Sequence, residues 1–178
     1  MSAIDARGSR RRAIWWARCV RGIACAAAVL AGLASLDAPR AVAEPTGDLK
    51  SSIDSARGPL CPALRSDPVL NQMAQRTNLS TDSFIGFTSR SQPLGSPNGD
   101  MMPALRQFGY PATKVKMLSG YGDPRVQFYG DVVAKAIYGA VLQGYEAIPD
   151  CSYTAVGVDV LTNPSKGYAL ATVILAAT

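Results

Sequence analysis

The side chains that could do chemistry in this chain are carboxylates and serines, because the sequence contains no histidine. Histidine is the commonest general base and a frequent metal ligand, so both roles would fall to other groups. Neither GxSxG nor SxxK, two spacings typical of an activated serine nucleophile, occurs in residues 44–178. Five carboxylates could supply a pair for glycoside hydrolysis. They are Asp123, Asp131, Glu146, Asp150 and Asp159.

These carboxylates also have a structural interpretation. Asp131 falls four residues before Lys135, which is typical of a pair on the wet side of a helix, and Asp150 falls in a turn-rich stretch. The glycine-rich run at 119–124 lacks the spacing with which backbone amides hold phosphate groups, so it predicts a turn. No cofactor fingerprint is present, and we expect neither a cofactor nor a catalytic residue of a known type.

The cysteines divide into two pairs by position. Cys19 and Cys25 lie in the first 30 residues, whereas Cys61 and Cys151 stand ninety residues apart in the rest of the chain. In an exported protein an even number of cysteines favours a disulfide. Two free thiols, or a metal site with two cysteine ligands, remain alternatives, although the missing histidines weaken the second.

The N-terminal 43 residues have the pattern of an export signal. Six arginines between positions 7 and 21 precede an apolar run at 23–36, and Ala41-Val42-Ala43 forms an A-x-A cleavage site. The apolar run is shorter than the ~20 residues that a membrane-spanning helix needs. We therefore expect cleavage after Ala43, no integral membrane segment in the mature chain, and a secreted or cell-envelope protein. The export route, general or twin-arginine, stays open.

The basic character of the chain belongs to this leader. Of 18 basic and 13 acidic residues, seven Arg and two Asp lie in 1–43, which leaves 11 of each in residues 44–178. A formally neutral domain lacks the clustered positive charge that nucleic-acid binding requires. Residues 44–178 are long enough for a single domain with its own core.

Helical spacing and end signals predict the elements of the first half. A helix is expected over 48–57, and a second helix is expected to start after the Ser66-Asp67-Pro68 cap and to fade near 77–78. Residues 80–100 are rich in Ser, Gly, Pro and Asn and predict a long loop. A short helix over 100–108 follows.

The second half predicts a strand at 112–118, a long helix at 125–143, and two strands, 153–161 and 167–175, joined by a hairpin. The last strand is apolar on both faces, so it must be covered on both sides. The predicted helices are the remaining apolar surfaces that could cover it. The fold class is therefore predicted to be α+β, a three-layer α-β-α sandwich with a small antiparallel sheet between helices.

A candidate groove follows from the loop and the long helix. Phe84, Ile85 and Phe87 are apolar residues within the 80–100 stretch, and Tyr129 lies in the predicted long helix. They could pack under the loop, or they could line a groove.

The order of elements and several short motifs resemble the CAP superfamily, the cysteine-rich secretory, antigen 5 and pathogenesis-related proteins. Pro62-Ala63-Leu64, the helix segment at 70–75, and "IPDCSYTAVGV" at 148–158 are similar to motifs of its bacterial secreted members. The resemblance implies an α-β-α sandwich over 44–178. It also implies a Cys61–Cys151 disulfide, because some relatives carry cysteines at these two places.

The same resemblance implies that this chain has lost the metal-binding residues of the family. The family cavity holds two His and two Glu that can take up a divalent metal, and one of these His would fall on Gly144 here. No acid stands at 116–118, where one Glu would lie. No metal or catalytic residue is therefore assigned.

The function expected from the sequence is binding. The first hypothesis is an exported, non-enzymatic CAP-like domain that binds a lipid or other apolar ligand, or an envelope or host protein, in the groove between the 80–100 loop and the long helix. The alternatives are a carboxylate-based hydrolase in the same groove and a structural envelope protein.

Overall fold

A computed structural model describes residues 44–95, 100–127 and 130–178. The predicted leader at 1–43 and Tyr129 lie outside the described residues. The helices are α1 (Pro45–Arg57), α2 (Pro68–Ile85), α3 (Met102–Gln107) and α4 (Val132–Gln143), and the strands are β1 (Arg65–Ser66), β2 (Lys114–Gly122), β3 (Ala155–Asn163) and β4 (Tyr168–Ala177).

The sheet has the strand order β1-β3-β4-β2. β3 and β4 form the predicted hairpin, and β2 pairs antiparallel with the far side of β4. β1 pairs parallel with the start of β3, so the sheet is mixed and not purely antiparallel as predicted. The two-residue β1 follows the Pro62-Ala63-Leu64 segment and is too short for a periodic pattern to reveal.

The sheet lies between two helical layers, which confirms the predicted α+β sandwich. α1 packs on β3 and α4 on β2 and β4, and together they cover one face of the sheet. α2 and the residues around α3 cover the opposite face. All ten residues of β4 are buried. The double-sided apolar pattern of this strand was therefore a correct signal for cover on both sides.

α2 is longer than its sequence predicts. It begins at the expected place, where the Asp67 side chain accepts hydrogen bonds from the backbone N–H groups of Val69 and Leu70, but it continues to Ile85 and not only to 77–78. Its polar second half is held by tertiary contacts. The Asp82 carboxylate on α2 accepts hydrogen bonds from the Tyr168 hydroxyl and the Asn163 amide of the β3–β4 hairpin.

The glycine-rich stretch predicted as a turn is the end of β2. A Cβ atom at Gly120 would lie 1.8 Å from the Ala136 carbonyl oxygen, and one at Gly122 would lie 1.8 Å from that of Val132. Glycine is needed at these two positions because the α4 backbone rests directly on the strand. A glycine inside a strand can mark such close approach, which the sequence does not distinguish from a turn.

α4 begins at Val132 and not at 125. Asp131 is its N-cap and accepts a hydrogen bond from the Ala134 N–H, 2.8 Å away. The predicted pair between Asp131 and Lys135 is wrong, because the Lys135 ammonium instead donates to the carbonyl oxygens of Asp123 and Val126.

A disulfide joins Cys61 to Cys151, as the sequence predicts. Beside it the guanidinium of Arg57, only 4% exposed, links the same two segments. It donates to the carbonyl oxygens of Pro62 at 2.8 Å, Ile148 at 2.8 Å, Asp150 at 3.3 Å and Tyr153 at 2.7 Å.

Candidate functional site

One groove that could receive a ligand runs between α1 and α4. We call it the α1–α4 groove. Its first part, about 440 Å³, is lined by Asp48, Ser52, Asp131, Val133, Ala134, Ile137, Tyr138 and Val141. Its second part, about 290 Å³, is lined by Ala56, Tyr138, Val141, Leu142, Tyr145, Ile148 and Pro149. The two parts share Tyr138 and Val141, so they lie next to each other along α4.

The groove follows from how the two helices rest on the sheet. α4 contacts the sheet through its small residues Ala136 and Ala140, which are fully buried. Because these side chains are short and β2 offers glycine beneath them, α4 sits close to β2 and β4, whereas α1 lies over β3. The larger apolar side chains of α4 then border the space between the helices.

Aromatic and aliphatic side chains at helical spacing edge this groove. Tyr138, Leu142 and Tyr145 stand four and three residues apart and are 42%, 56% and 69% exposed. Their spacing places them on one side of α4 and its extension. These three residues are exposed, so the pattern of buried positions on α4 does not include them.

The charges that line the α1–α4 groove are acidic. Asp48 in the first turn of α1 and Asp131 at the start of α4 line its first part. At the far end the Tyr145 hydroxyl, beside the groove, donates to the Glu146 carboxylate at 2.6 Å. A ligand in the groove would meet negative charge and no cation among the lining residues.

The second groove lies on the other face of the sheet, between α2, β4 and the edge strand β2. We call it the sheet groove. It has a volume of about 340 Å³, and Pro93, Leu94 and Gly95 form one border. The other lining residues are Thr77, Asn78, Thr81, Lys116, Met117, Ser119, Gly120, Gln143, Leu170, Ala171 and Thr172.

A buried polar network of Asn78, Asp159 and Thr172 lies beside this groove. The Asn78 amide nitrogen donates to the Asp159 carbonyl at 3.0 Å and to its carboxylate at 2.7 Å, while the Thr172 hydroxyl donates to the Asn78 oxygen at 2.7 Å. The loop border is tied to α2, since the Leu94 N–H donates to the Ser80 hydroxyl at 3.2 Å. Satisfied networks of this kind hold side chains in one arrangement.

The sheet groove is bordered by residues 93–95 of the 80–100 stretch and by Gln143 at the end of α4, but the apolar residues predicted for a groove do not line it. Phe84 and Ile85 belong to α2 and not to a loop, and Phe87 follows the helix with φ 58° and is 93% exposed. None of the three is among the residues that line this groove. Tyr129 lies outside the described residues.

The five candidate carboxylates each have a structural partner. Asp123 forms an ion pair with Arg125, whose hydrogen bonds lower the pKa of Asp123 to about 2. Lys114, followed by Ser152, lowers the pKa of Asp150. Asp131 caps α4, Asp159 accepts from Asn78, and Glu146 accepts from Tyr145.

Gly144, where the family resemblance would place a metal-binding histidine, faces the core. A Cβ atom there would lie 2.6 Å from Leu118 Cδ1 and 2.7 Å from Ile148 Cδ1. The neighbouring Gln143 lines the sheet groove instead. Within the described ranges, no three Cys, Asp or Glu side chains come together as a possible metal site. No helix among these residues has the length and apolarity to cross a membrane.

Comparison with known proteins leaves the family of the chain open. No protein-family model matches it, and no curated protein matches it in sequence. Among solved structures it is similar to a cysteine-rich secretory protein from Staphylococcus aureus, with 11% sequence identity and a TM-score of 0.48. The match covers 75% of this chain and 38% of that protein, so the chain spans well under half of its length. No residue role is carried over from it.

Proposed function

We propose that this chain is an exported, non-enzymatic, CAP-like binding domain that holds an extended apolar molecule in the α1–α4 groove. The observation that carries the proposal is that the two largely apolar parts of the groove adjoin at Tyr138 and Val141. An export leader at 1–43 and a CAP-like ancestry, which the Cys61–Cys151 disulfide and the motifs at 62–64 and 148–158 support, belong to the same proposal.

The dimensions of the groove suit a hydrocarbon chain. From Val133 to Leu142 the groove follows α4 for about 14 Å at the rise of an α-helix. Its sides carry Ile137, Val141 and Leu142. Each methylene group that leaves water for such a surface contributes about 0.8 kcal/mol. A straight apolar chain therefore gains affinity in proportion to the length it buries.

The charge of the lining selects the head group. In the first part of the groove, Asp48 and Asp131 would repel a carboxylate and attract a cation. The Tyr138 ring beside them adds a surface that attracts cations. The expected ligand is therefore an apolar chain with a neutral or positively charged head group, and not a free fatty acid.

A titration with three probes of equal chain length tests this proposal. Calorimetry of residues 44–178 with decyltrimethylammonium, decanol and decanoate should show saturable binding of the first two. Decanoate should bind several-fold more weakly at low salt, with a smaller difference at high salt because screening weakens charge repulsion.

A matched pair of variants locates the site. Ser52 lines the groove and Ser55 does not, yet both hydroxyls bond only the carbonyl four residues earlier in α1, at 2.8 Å. Ser52→Trp should fill the groove and abolish binding, whereas Ser55→Trp should leave it unchanged. Absence of saturable binding, or equal affinity in Ser52→Trp, refutes the proposal. Turnover of a decanoyl ester that disappears with one carboxylate would instead establish a hydrolase.

A further inference from the structure

The end of α2 carries a phenylalanine in a backbone conformation that usually belongs to glycine. Phe87 has φ 58° and is the only residue other than glycine with a positive φ in the described part of the chain. Its N–H donates to the Phe84 carbonyl at 3.1 Å, and the Thr88 N–H donates to the Ser83 carbonyl at 2.9 Å. This is the hydrogen-bond pattern of a Schellman helix end, in which glycine is strongly preferred at the position that Phe87 occupies.

Burial of the Phe87 ring does not compensate for this backbone strain. The side chain is 93% exposed, so it gains little from packing in the folded chain. A residue with a β-carbon loses free energy in the left-handed region, and glycine would not. A bulky residue that is held in this conformation at the surface points to a role outside the folded body.

Phe87 and the neighbouring Phe84 form a surface that we call the apolar tip. Phe84 lies in the last turn of α2 and is 43% exposed. Neither ring lines the α1–α4 groove or the sheet groove. Both rings therefore remain in contact with water in the isolated chain.

Two cationic side chains belong to the same end of the molecule. A Cβ atom at Gly86, the residue before Phe87, would lie 3.8 Å from the Lys166 ammonium nitrogen, so the β3–β4 turn brings this charge to the tip. Arg90 follows three residues after Phe87 and is exposed. Within the described ranges, neither Lys166 nor Arg90 takes part in an ion pair.

Negative charge at the tip is limited to one carboxylate. Asp82 on α2 accepts hydrogen bonds from the Tyr168 hydroxyl and the Asn163 amide, so it is turned toward the hairpin. It offsets part of the Lys166 charge, and Arg90 leaves the balance of these three groups positive. The sequence has no acidic residue at 83–99. The tip is therefore an apolar surface with a positive border.

We propose that the apolar tip binds the surface of an anionic lipid bilayer. Phe84 and Phe87 enter the boundary between the head groups and the acyl chains, while Lys166 and Arg90 contact the lipid phosphates. A bilayer fits this surface because it accepts projecting rings without a shaped pocket and supplies the negative charge that the cations match. α2 covers the opposite face of the sheet from α1 and α4, so this site does not depend on the function proposed for the α1–α4 groove.

Sedimentation of residues 44–178 with lipid vesicles tests the inference. One set of vesicles contains equal parts of phosphatidylcholine and phosphatidylglycerol, and the other contains phosphatidylcholine alone. The bound fraction should saturate with the anionic vesicles, and the affinity should be roughly tenfold higher than for the neutral ones. Added salt should reduce this difference, because it screens the attraction between the cations and the phosphates.

Replacement of Phe87 by glycine should change membrane binding and stability in opposite directions. Phe87→Gly should weaken binding to the anionic vesicles about tenfold, because it removes the ring that leaves water. It should also raise the Tm by about 2–4 °C, because glycine relieves the strain at the helix end. Leu60→Ala is the control, since Leu60 is also 93% exposed but lies beside the disulfide, and it should leave vesicle binding unchanged.

A second pair of variants tests the contribution of charge. Arg90→Gln should weaken binding to the anionic vesicles about fivefold, the factor expected for one cation near the bilayer surface. It should leave binding to the neutral vesicles unchanged. Arg106→Gln removes an exposed arginine from α3, away from the tip, and should change neither affinity.

A tryptophan at the tip reports the depth of the ring directly. The two tryptophans of the chain lie at positions 15 and 16, so residues 44–178 contain none. The emission of Phe87→Trp should move to shorter wavelengths when anionic vesicles are added, because the indole enters a less polar environment. The emission of Leu60→Trp should not move.

The inference is overturned if residues 44–178 do not bind the anionic vesicles, or if Phe87→Gly binds them as tightly as the unmodified protein. It is also overturned if the protein forms a dimer that Phe87→Gly dissociates, because the tip would then be covered by a second copy. Ser52→Trp, which fills the α1–α4 groove, should leave vesicle binding unchanged, so the two proposals stand or fail separately.

Discussion

Replacement of Arg57 by methionine should destabilise the protein far more than the same replacement of the exposed Arg106. The guanidinium is buried in the last turn of α1, and its four acceptors are backbone carbonyl oxygens from two segments that lie 5 and 91–96 residues further along the chain. Methionine keeps an unbranched apolar stem of similar packing but donates no hydrogen bond. The substitution therefore removes the polar link and leaves buried carbonyl groups without that partner.

The expected loss is about 4 kcal/mol. A hydrogen bond from a charged donor contributes about 1.5–3 kcal/mol, but the cost of burying the guanidinium offsets part of the sum. Each buried carbonyl group that is left without a hydrogen-bond partner costs about 1–3 kcal/mol, which sets the scale here. For a folded body of this size, about 4 kcal/mol corresponds to a Tm lower by roughly 15 °C.

Urea unfolding of the oxidised protein, followed by circular dichroism, measures this loss. Arg57→Lys should recover only part of it, because one ammonium cannot match the fork of donors with which Arg57 spans its acceptors. Arg106→Met on α3 is the control, since Arg106 is exposed and its loss should cost less than about 0.5 kcal/mol. The prediction is refuted if the free energy of unfolding of Arg57→Met lies within about 1 kcal/mol of that of the unmodified protein. It is also refuted if Arg57→Lys is as stable as the unmodified protein.

Three further predictions concern the packing, the disulfide and pH. Gly157→Ala should destabilise by about 3 kcal/mol in urea unfolding, because its Cβ would lie 2.1 Å from the α2 backbone. Reduction of Cys61–Cys151 should cost about 4 kcal/mol in the chain-entropy model, measured by unfolding with and without reductant. Burial, and then the hydrogen bond to Asp82, raises the pKa of Tyr168 to about 12, so its stabilising contribution is complete below pH 10 and is lost as pH rises toward 12. Tyr168→Phe should make the stability curve flatter over that interval.

Each of these predictions has a matched comparison. Gly47→Ala in α1, where an added Cβ meets nothing within 4 Å, should be neutral or stabilising, and a loss equal to that of Gly157→Ala would contradict the packing argument. A double Cys61→Ser, Cys151→Ser variant should match the reduced protein and be insensitive to reductant. A pH profile of Tyr168→Phe that coincides with that of the unmodified protein would contradict the role given to this hydroxyl.

Local patterns predicted the elements whose residues repeat regularly and whose ends carry turn residues. The double-sided apolar run of β4, the Asp67-Pro68 start of α2 and the hairpin before Tyr168 all follow from burial and backbone preferences that act within a few residues. The extension of α2 to Ile85 was not predictable in this way, because its polar second half is held by partners more than eighty residues away.

The candidate sites were harder to predict than the fold. The sequence indicated a groove beside the 80–100 stretch, but it placed Phe84 in a loop and gave no sign that Thr172 and Gln143 would border the same space. These two residues come from a strand and a helix that meet only after folding. The α1–α4 groove was missed because the space between two helices depends on how closely each one approaches the sheet.

The sequence by itself located α1 to α4 and β2 to β4, although not all of their ends, and it indicated that the last strand is covered on both faces and that Cys61 and Cys151 are the two cysteines outside the first 43 residues. These follow from periodicity and composition, which are properties of neighbouring residues. Only the tertiary structure decided that Gly120, Gly122 and Gly157 lie beneath helix backbones, that Arg57 is buried among carbonyl oxygens, and where the two grooves run. The physical reason is that each of these features is a contact between residues far apart in the chain, and such contacts leave no periodic trace in the sequence.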